Sequence, residues 1–155
     1  MSKTIEDREP EAAIAFGTLP DLIGYQLRLA QIAIFRDFAT TLGALDITPG
    51  LYGMLVIIEA NPGLKQSALA KAAHLDRSTV VSVIDNLERR ALVERRAADS
   101  DRRSNALHLT AEGAVLLKKL KRMVAQHERR LAGNLDESEQ ATLVRLLKKI
   151  LPEQR

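Results

Sequence analysis

Apolar residues recur at helical spacing along most of the chain, and this pattern predicts six helices. Near the middle, alternation replaces helical spacing, and Leu107 and Leu109 share one face of a short strand. The predicted helices cover residues 19–42, 49–60, 66–74, 77–90, 111–131 and 137–151, and the predicted strands cover residues 92–95 and 106–109. The fold class is therefore mainly α, with a β-hairpin between the fourth and fifth helices.

Residues that cap helices stand where four of these helices begin. Thr48, Asp76 and Thr110 can each accept a hydrogen bond from the first turn of the helix that follows. Asp136 is followed three residues later by Glu139, which is the spacing of a capping box. These residues predict the starts of the second, fourth, fifth and sixth helices more firmly than periodicity alone does.

The order of the elements predicts a winged helix-turn-helix in the middle of the chain. Two short helices precede a hairpin whose connecting segment, residues 96–105, is polar and charged. The helices at the two ends have apolar faces that this central unit does not cover, so we expect them to pack with each other and with a second copy of the chain. The expected division is a tail and dimerisation helix at 1–47, a winged DNA-binding domain at 48–110 and dimerisation helices at 111–155.

Composition and motifs remove several classes of function. The chain has no cysteine, which excludes disulfides, thiolate catalysis, thiol-based sensing and cysteine zinc sites. Its three histidines are scattered, so we predict no metal and no cofactor. No nucleophile elbow or phosphate-binding glycine loop is present, and we predict that the protein is not an enzyme. Without a signal peptide or a long apolar stretch, the expected location is the cytoplasm, with no membrane contact.

Positive charge is concentrated in the predicted wing. The net charge of +3 is modest, but Arg95, Arg96, Arg102 and Arg103 fall within nine residues, next to Asp101. Arginines on a hairpin can enter a narrow minor groove or bind phosphates, and an adjacent acid can hold one of them in place. The alternative is an ordinary solvated turn, and the helix-turn-helix directly upstream makes that the weaker interpretation.

The fourth helix has an outward face that suits the major groove of DNA. A helix that enters a groove about 12 Å wide needs small and polar side chains on its leading face. The alternative is a solvated surface on which small residues fall together by chance. The predicted DNA-contacting residues of this helix are Arg77, Ser78, Thr79, Ser82 and Asn86.

Three stretches, taken in their order and spacing, resemble the MarR family of bacterial transcriptional regulators. They are Leu69-Ala70 with Leu75-Asp76-Arg77-Ser78-Thr79-Val80, then Val83-Ile84-Asp85-Asn86-Leu87-Glu88-Arg89-Arg90-Ala91-Leu92-Val93, and last Asp99-Ser100-Asp101-Arg102-Arg103 with Leu107-His108-Leu109-Thr110-Ala111-Glu112-Gly113. The six-helix order extends the resemblance over residues 18–151. It implies an obligate dimer whose first, fifth and sixth helices intertwine and whose two winged domains bind a palindrome.

The resemblance also assigns roles within the wing. It implies that Arg103 enters the minor groove, with Arg102 beside it and Asp101 as its orienting partner. The chain departs from the family at Ala91, where many members have glycine. This position ends the recognition helix, so the departure concerns how that helix stops.

The stretch of the first helix from Ile23 to Phe38 resembles its counterpart in MarR regulators of aromatic-acid catabolism, which implies a small aromatic effector. Members that control hydroxycinnamate degradation often respond to the acyl-CoA thioester, such as p-coumaroyl-CoA. Aromatic side chains would surround the ring of such an effector, and arginines would meet the CoA phosphates. The alternative is an interface core with arginine stems lying along it. The candidate ligand-binding residues are Tyr25, Arg28, Phe35, Arg36, Phe38 and Tyr52.

The predicted function is that of a ligand-responsive repressor that binds duplex DNA as a homodimer and is released by its effector. A winged-helix protein that acts through protein–protein contacts, without an inducing ligand, is the alternative. The salt dependence of duplex binding distinguishes the two, because phosphate contacts release counterions and protein contacts do not.

Overall fold

The computed structural model describes residues 14–98 and 101–151, and for residues 98 and 101–105 it describes the backbone alone. Within this part of the chain, six α-helices accompany a three-stranded antiparallel sheet in the order β1-β3-β2. The helices are α1 (Ile23–Leu42), α2 (Pro49–Ala60), α3 (Gln66–Ala72), α4 (Arg77–Arg89), α5 (Ala111–Leu131) and α6 (Glu137–Ile150). The strands are β1 (Leu64–Lys65), β2 (Val93–Ala98) and β3 (Asp101–Leu109). The predicted winged helix-turn-helix between terminal helices is confirmed.

The four N-caps named above are confirmed by their hydrogen bonds. The predicted start of the first helix at residue 19 is wrong, because Leu19–Asp21 form a separate 3-10 turn without a side-chain cap from Thr18 and α1 begins at Ile23. The side chain of Thr48 accepts from the third residue of α2, and those of Asp76 and Thr110 do the same for α4 and α5. Asp136 and Glu139 form the reciprocal pair of a capping box at the start of α6. These starts depend on nearest neighbours along the chain, which is why the sequence alone locates them.

The sheet is larger than the sequence predicts. Much of the polar segment 96–105 is strand, because β2 and β3 continue the hairpin beyond their apolar residues. The two-residue strand β1 was not predicted, since two residues carry no periodicity. It pairs with β3 through Leu64 opposite Leu107 and Lys65 opposite Ala106. The wing is therefore a hairpin whose base is extended by a third strand.

Both helices of the helix-turn-helix end in the same way, with a residue in the left-handed conformation. His74 has φ 53° after α3, and Ala91 has φ 54° after α4. After α4, the amide of Ala91 donates to the carbonyl of Glu88 and the amide of Leu92 donates to that of Leu87, which is a Schellman motif. Glycine adopts this conformation without steric cost. Ala91 therefore adopts a backbone conformation that glycine would adopt at a lower steric cost.

The core is a single apolar cluster that the winged domain and parts of α1 and α5 share. At its edge, Gly113 in the first turn of α5 packs directly against the backbone of Leu92. The side chain of Thr110 donates to the carbonyl of Ala91 at 2.6 Å and accepts from the amide of Gly113 at 2.9 Å. The start of α5 is thus attached to the turn between α4 and β2. The largest fully buried side chains include Leu42, Leu55, Ile58, Leu69, Ile84, Leu87, Leu107, Leu117 and Leu120.

The chain divides into two compact units, the first ending at Ala33 and the second beginning at Ile34. In the first unit, most of the large apolar side chains of α1 and of the turn before it are exposed. In the second unit, no residue of α6 is buried. The exposed residues of the first unit include Leu22, Ile23, Leu27, Leu29 and Ile32.

Among the described residues, no single helix is long and apolar enough to cross a membrane. The segments Ile23–Leu45 and Pro49–Ala60 reach that length and apolar character only when taken together, and they are bent by 69°.

Candidate nucleic-acid interface

The start of α4, the predicted recognition helix, is held by one carboxylate. Asp76 accepts hydrogen bonds from the Ser78 hydroxyl at 2.5 Å, the Thr79 amide at 2.8 Å and the Thr79 hydroxyl at 2.7 Å. These bonds, that from Ser78 foremost, hold the pKa of Asp76 well below its usual range. The carboxylate therefore stays ionised, and the first turn of α4 has a fixed conformation.

The predicted contact residues of α4 lie on one surface. Arg77, Ser78, Thr79 and Ser82 are exposed, and Asn86 is half-buried. The positions 78, 82 and 86 repeat at four residues, which places them one above another on the helix. Their side chains border an open cleft between α4 and the start of α2. The Ser82 hydroxyl donates to the carbonyl of Ser78 at 3.2 Å, so this small polar surface stays close to the helix backbone.

The two wing arginines with described side chains lie in different environments. Arg95 turns towards α4, where its guanidinium group contacts Asp85 at 2.6 Å and Glu88, and its side chain is 18% exposed. Arg96 is 59% exposed and pairs with Glu94 on the same strand at 2.5 Å. The side chains of the other predicted wing residues lie outside the described part of the chain. They are Asp101, Arg102 and Arg103.

The acids that hold Arg95 were not among the predicted site residues. Asp85 and Glu88 are three residues apart on α4, so they share one side of the helix. That spacing is a detectable signal, but it does not identify the arginine that binds them. Arg90 also makes a contact that the sequence did not predict. Its guanidinium donates to the carbonyls of Leu45 and Asp46 at 2.9 Å each. The end of α4 is thereby tied to the segment between α1 and α2.

A cavity of about 320 Å³ lies where α1 meets α2. Phe35 and Phe38 line it, as do residues of the segment that Arg90 holds. Neither Arg36 nor Tyr52 is among the residues that line the cavity. Arg36 is exposed on α1, and Tyr52 is half-buried against the core. The remaining candidates, Tyr25 and Arg28, belong to the first unit. The volume falls at the lower end of the range for small-molecule pockets.

A hydrogen-bonded network of Asp37, His127 and Arg130 lies beside this cavity. His127 of α5 is 1% exposed, and its ring nitrogen Nδ1 lies 2.5 Å from a carboxylate oxygen of Asp37 on α1. Arg130 donates to the same carboxylate and to the hydroxyl of Thr41. Hydrogen bonds from Arg130 first, and then from His127, lower the pKa of Asp37. The ring of Phe38 packs edge-on against His127, so the network supports one wall of the cavity.

Among the described residues, no group of three or more His, Asp or Glu side chains could hold a metal ion. In the sequence, His127 follows Leu120, Met123 and Val124 at helical spacing, and the structure buries it. Its partner Asp37 was not predicted, since the two residues are distant in the sequence and meet only when α1 packs on α5.

Comparison with known proteins identifies the family. The MarR family profile matches residues 47–104. A putative transcriptional regulatory protein for the hcr operon of Thauera aromatica is 41% identical over 140 residues, which cover 90% of this chain and 84% of the relative. The transcriptional repressor CouR bound to a 23-mer DNA duplex superposes with a TM-score of 0.86 at 35% identity, covering 90% of this chain and 99% of that one. CouR bound to p-coumaroyl-CoA gives a TM-score of 0.82 at 32% identity, covering 91% and 99%.

These similarities extend well beyond the winged domain. The relative from Thauera aromatica and the CouR chains each match about nine-tenths of this chain, including its terminal helices. The fold and the motifs of the recognition helix and wing point to the same group of proteins. The chain belongs to the MarR family of DNA-binding transcriptional regulators.

Proposed function

We propose that this protein is a homodimeric repressor that binds a palindromic operator and releases it when an aromatic acyl-CoA thioester binds. The observation that carries the proposal is the combination in one chain of a capped, polar-faced recognition helix and a wing attached to its side. CouR, whose fold this chain shares, has been observed with a DNA duplex and with p-coumaroyl-CoA. The family and the geometry therefore favour the same function.

Dimerisation is supported by apolar surface that one chain leaves uncovered. On α6, large apolar side chains are about half exposed, and in the first unit the apolar side chains of α1 are exposed in a similar way. An amphipathic helix with no buried residue gains little stability from its own chain. A second copy of the chain would cover these faces. The exposed residues of α6 are Leu143, Val144, Leu146 and Ile150.

DNA binding would use two surfaces of each protomer. We propose that the α4 residues enter the major groove and that the wing arginines reach the adjacent minor groove or its phosphates. A dimer would present two recognition helices about one DNA turn apart, roughly 34 Å. The proposed contact residues are the sequence-predicted ones other than Arg95, which is paired with α4, and the winged domain spans residues 48–110.

The effector is proposed to occupy the cavity between α1 and α2. Its aromatic ring would lie against Phe35 and Phe38, and the phosphates of CoA would meet exposed arginines such as Arg36. Tyr25, Arg28 and Tyr52 stay as candidate contacts for the remainder of the molecule. An acyl-CoA is larger than the cavity, so its nucleotide part would lie on the protein surface.

A physical connection joins the cavity to the recognition helix. Asp46 borders both the cavity and the cleft beside α4. Its carbonyl, together with that of Leu45, is bound by Arg90 at the end of α4. A ligand that displaces this segment would change the position of α4 and thus the spacing of the two recognition helices. By linkage, DNA must then weaken effector binding by the same factor.

Duplex binding measured by fluorescence anisotropy over a range of salt concentrations tests the proposal, with p-coumaroyl-CoA as the effector probe. We expect the logarithm of the association constant to fall steeply with the logarithm of salt concentration. We expect p-coumaroyl-CoA to weaken duplex binding, whereas free coenzyme A and p-coumarate have smaller effects. An association constant that does not change with salt concentration would contradict binding through DNA phosphates. If the duplex and p-coumaroyl-CoA bind independently, the thioester is not the effector.

A further inference from the structure

Arg95 is bound to α4 at three points. Its two terminal nitrogens contact Asp85 and Glu88, and its backbone amide donates to the second carboxylate oxygen of Glu88 at 3.0 Å. Contacts from both the side chain and the main chain fix the direction of strand β2 as well as the position of one side chain. Charge-assisted hydrogen bonds of this kind are stronger than neutral ones.

This contact lies where β2 leaves the protein core. Val93 is buried, Glu94 and Arg95 are half-buried, and Arg96 and Ala97 are exposed. Among the described side chains of β2, Arg95 is therefore the last one held against a helix. Beyond it, the strand is supported by its pairing with β3.

We propose that Arg95 is a positioning residue for DNA binding, which sets the angle between the wing and the recognition helix instead of contacting DNA. The proposal rests on the proposed DNA-binding mode and differs from the prediction from sequence, in which Arg95 contacts DNA. We refer to the contacts of Arg95 with Asp85 and Glu88 as the wing latch.

The geometry makes the wing sensitive to this latch. A residue three positions beyond Arg95 lies about 10 Å along the strand, so a rotation of about 20° at the latch moves it by roughly 3 Å. That displacement exceeds the tolerance of a hydrogen bond to DNA. Loss of the latch should therefore weaken specific binding even though the residues that contact DNA are unchanged.

Neutralising an acid of the latch gives opposite predictions for two mechanisms. Glu88→Gln removes one negative charge from a protein that binds a polyanion, so long-range electrostatics alone predicts tighter DNA binding. The glutamine can still accept the backbone hydrogen bond from Arg95, but the ion pair is lost. If the latch positions the wing, specific binding becomes weaker despite the more favourable charge.

A matched control lies next to Arg95 in sequence. Glu94 pairs with Arg96 along the same strand and has no ion pair with α4. Glu94→Gln therefore makes the same change in charge while leaving the latch intact. Any general effect of charge on DNA affinity appears in this variant, and the difference between the two variants reports the latch.

The experiment measures affinity for a duplex selected by the wild-type protein from a random library, and for a mixed-sequence duplex of equal length. We expect Glu88→Gln to weaken specific binding about tenfold and to leave non-specific binding unchanged or slightly tighter. Arg95→Gln should weaken specific binding more than non-specific binding, and Arg95→Lys should lose less, because lysine can pair with one acid. Glu94→Gln should bind at least as tightly as the wild type.

The readouts separate positioning from a loss of folded protein. The active fraction of each variant is determined by titration at high DNA concentration, and affinities are compared well below the unfolding temperature. Asp85→Asn, which breaks one of the two ion pairs, serves as a second variant if Glu88→Gln unfolds.

Two outcomes would overturn the proposal in different ways. If Glu88→Gln and Asp85→Asn bind as tightly as Glu94→Gln, while Arg95→Gln weakens specific and non-specific binding alike, then Arg95 contacts DNA directly. If the wild-type protein binds no duplex, the proposed function fails, and the latch hypothesis fails with it.

Discussion

The recognition helix α4 and the C-terminal helix α6 are similar in sequence pattern but differ in how much of their apolar surface one chain covers. Each has 13 or 14 residues and begins at an aspartate cap. Val80, Ile84 and Leu87 of α4 are buried, whereas no residue of α6 is buried. The comparison shows that a helix can be clearly marked in the sequence by its cap and its apolar spacing and still have an apolar face that its own chain does not cover. The apolar face of α4 is covered within one chain, and that of α6 is left uncovered.

The largest effect is expected from a charge on the apolar face of α6, where Leu147 is half-buried by its own chain. In the proposed dimer, Leu147→Asp buries an unpaired carboxylate in each protomer, at a cost of about 3–5 kcal/mol per site. We expect the variant to be monomeric in sedimentation experiments and to lose specific DNA binding. Arg145→Asp, on the opposite side of the same helix, is the control. A Leu147→Asp protein that remains dimeric would show that α6 is not at the interface.

The next largest effect is expected where the start of α5 packs against the base of the wing. A methyl group added at Gly113 would overlap the carbonyl of Leu92, so the start of α5 must move away from the base of the wing. We expect Gly113→Ala to lower the free energy of unfolding by about 3 kcal/mol. Gly53→Ala in α2, where no atom lies within 4 Å of the added group, should be neutral or slightly stabilising. Urea denaturation measures both, and equal effects would contradict this account.

Removing the proposed minor-groove arginine tests the wing without disturbing the core. We expect Arg103→Ala to weaken operator binding by about 1–3 kcal/mol while the unfolding temperature is unchanged. Arg129→Ala on α5 removes the same charge away from the proposed DNA surface and serves as the control. Equal affinity of the two variants would remove Arg103 from the binding site.

A smaller effect is expected at the end of α4. Ala91 has φ 54°, a conformation that costs an L-residue about 1 kcal/mol relative to glycine. We expect Ala91→Gly to raise the free energy of unfolding by up to about 1 kcal/mol, and Ala91→Val to lower it because β-branched residues fit this conformation poorly. Thermal unfolding of the three proteins checks the order, and a destabilised glycine variant would contradict the conformational explanation.

The most subtle prediction is the acid dependence of the contact between α1 and α5. The pKa of Asp37 is lowered in the folded state, so its contribution to stability is present above the unfolded pKa and is lost as pH falls through the folded pKa. We expect Asp37→Asn to be less stable near neutral pH and to lose less stability below about pH 4. Thr41→Val removes a neutral partner of Arg130 and should leave the pH slope unchanged. The urea concentration at the midpoint of unfolding, measured for the three proteins from neutral pH to below about pH 4, tests this prediction.

The sequence located elements whose signals are local and missed contacts that join distant residues. The caps Thr48, Asp76 and Thr110 were predicted because each bonds to the turn directly after it. The strand β1 was missed because two residues show no pattern until β3 lies beside them. Arg95 was grouped with the other wing arginines, since charge alone does not tell a free guanidinium from a paired one.

What the sequence determined by itself is the order of the helices, the starts of all but the first, the winged helix-turn-helix and the membership of the MarR family. These follow from periodicity, caps and motifs, each of which acts within a few residues of the chain. The tertiary structure alone decided that Arg95 binds α4, that His127 meets Asp37 and that Arg90 holds the segment beside the cavity. Such contacts depend on how helices pack, and packing brings together residues whose separation in sequence carries no signal of their contact.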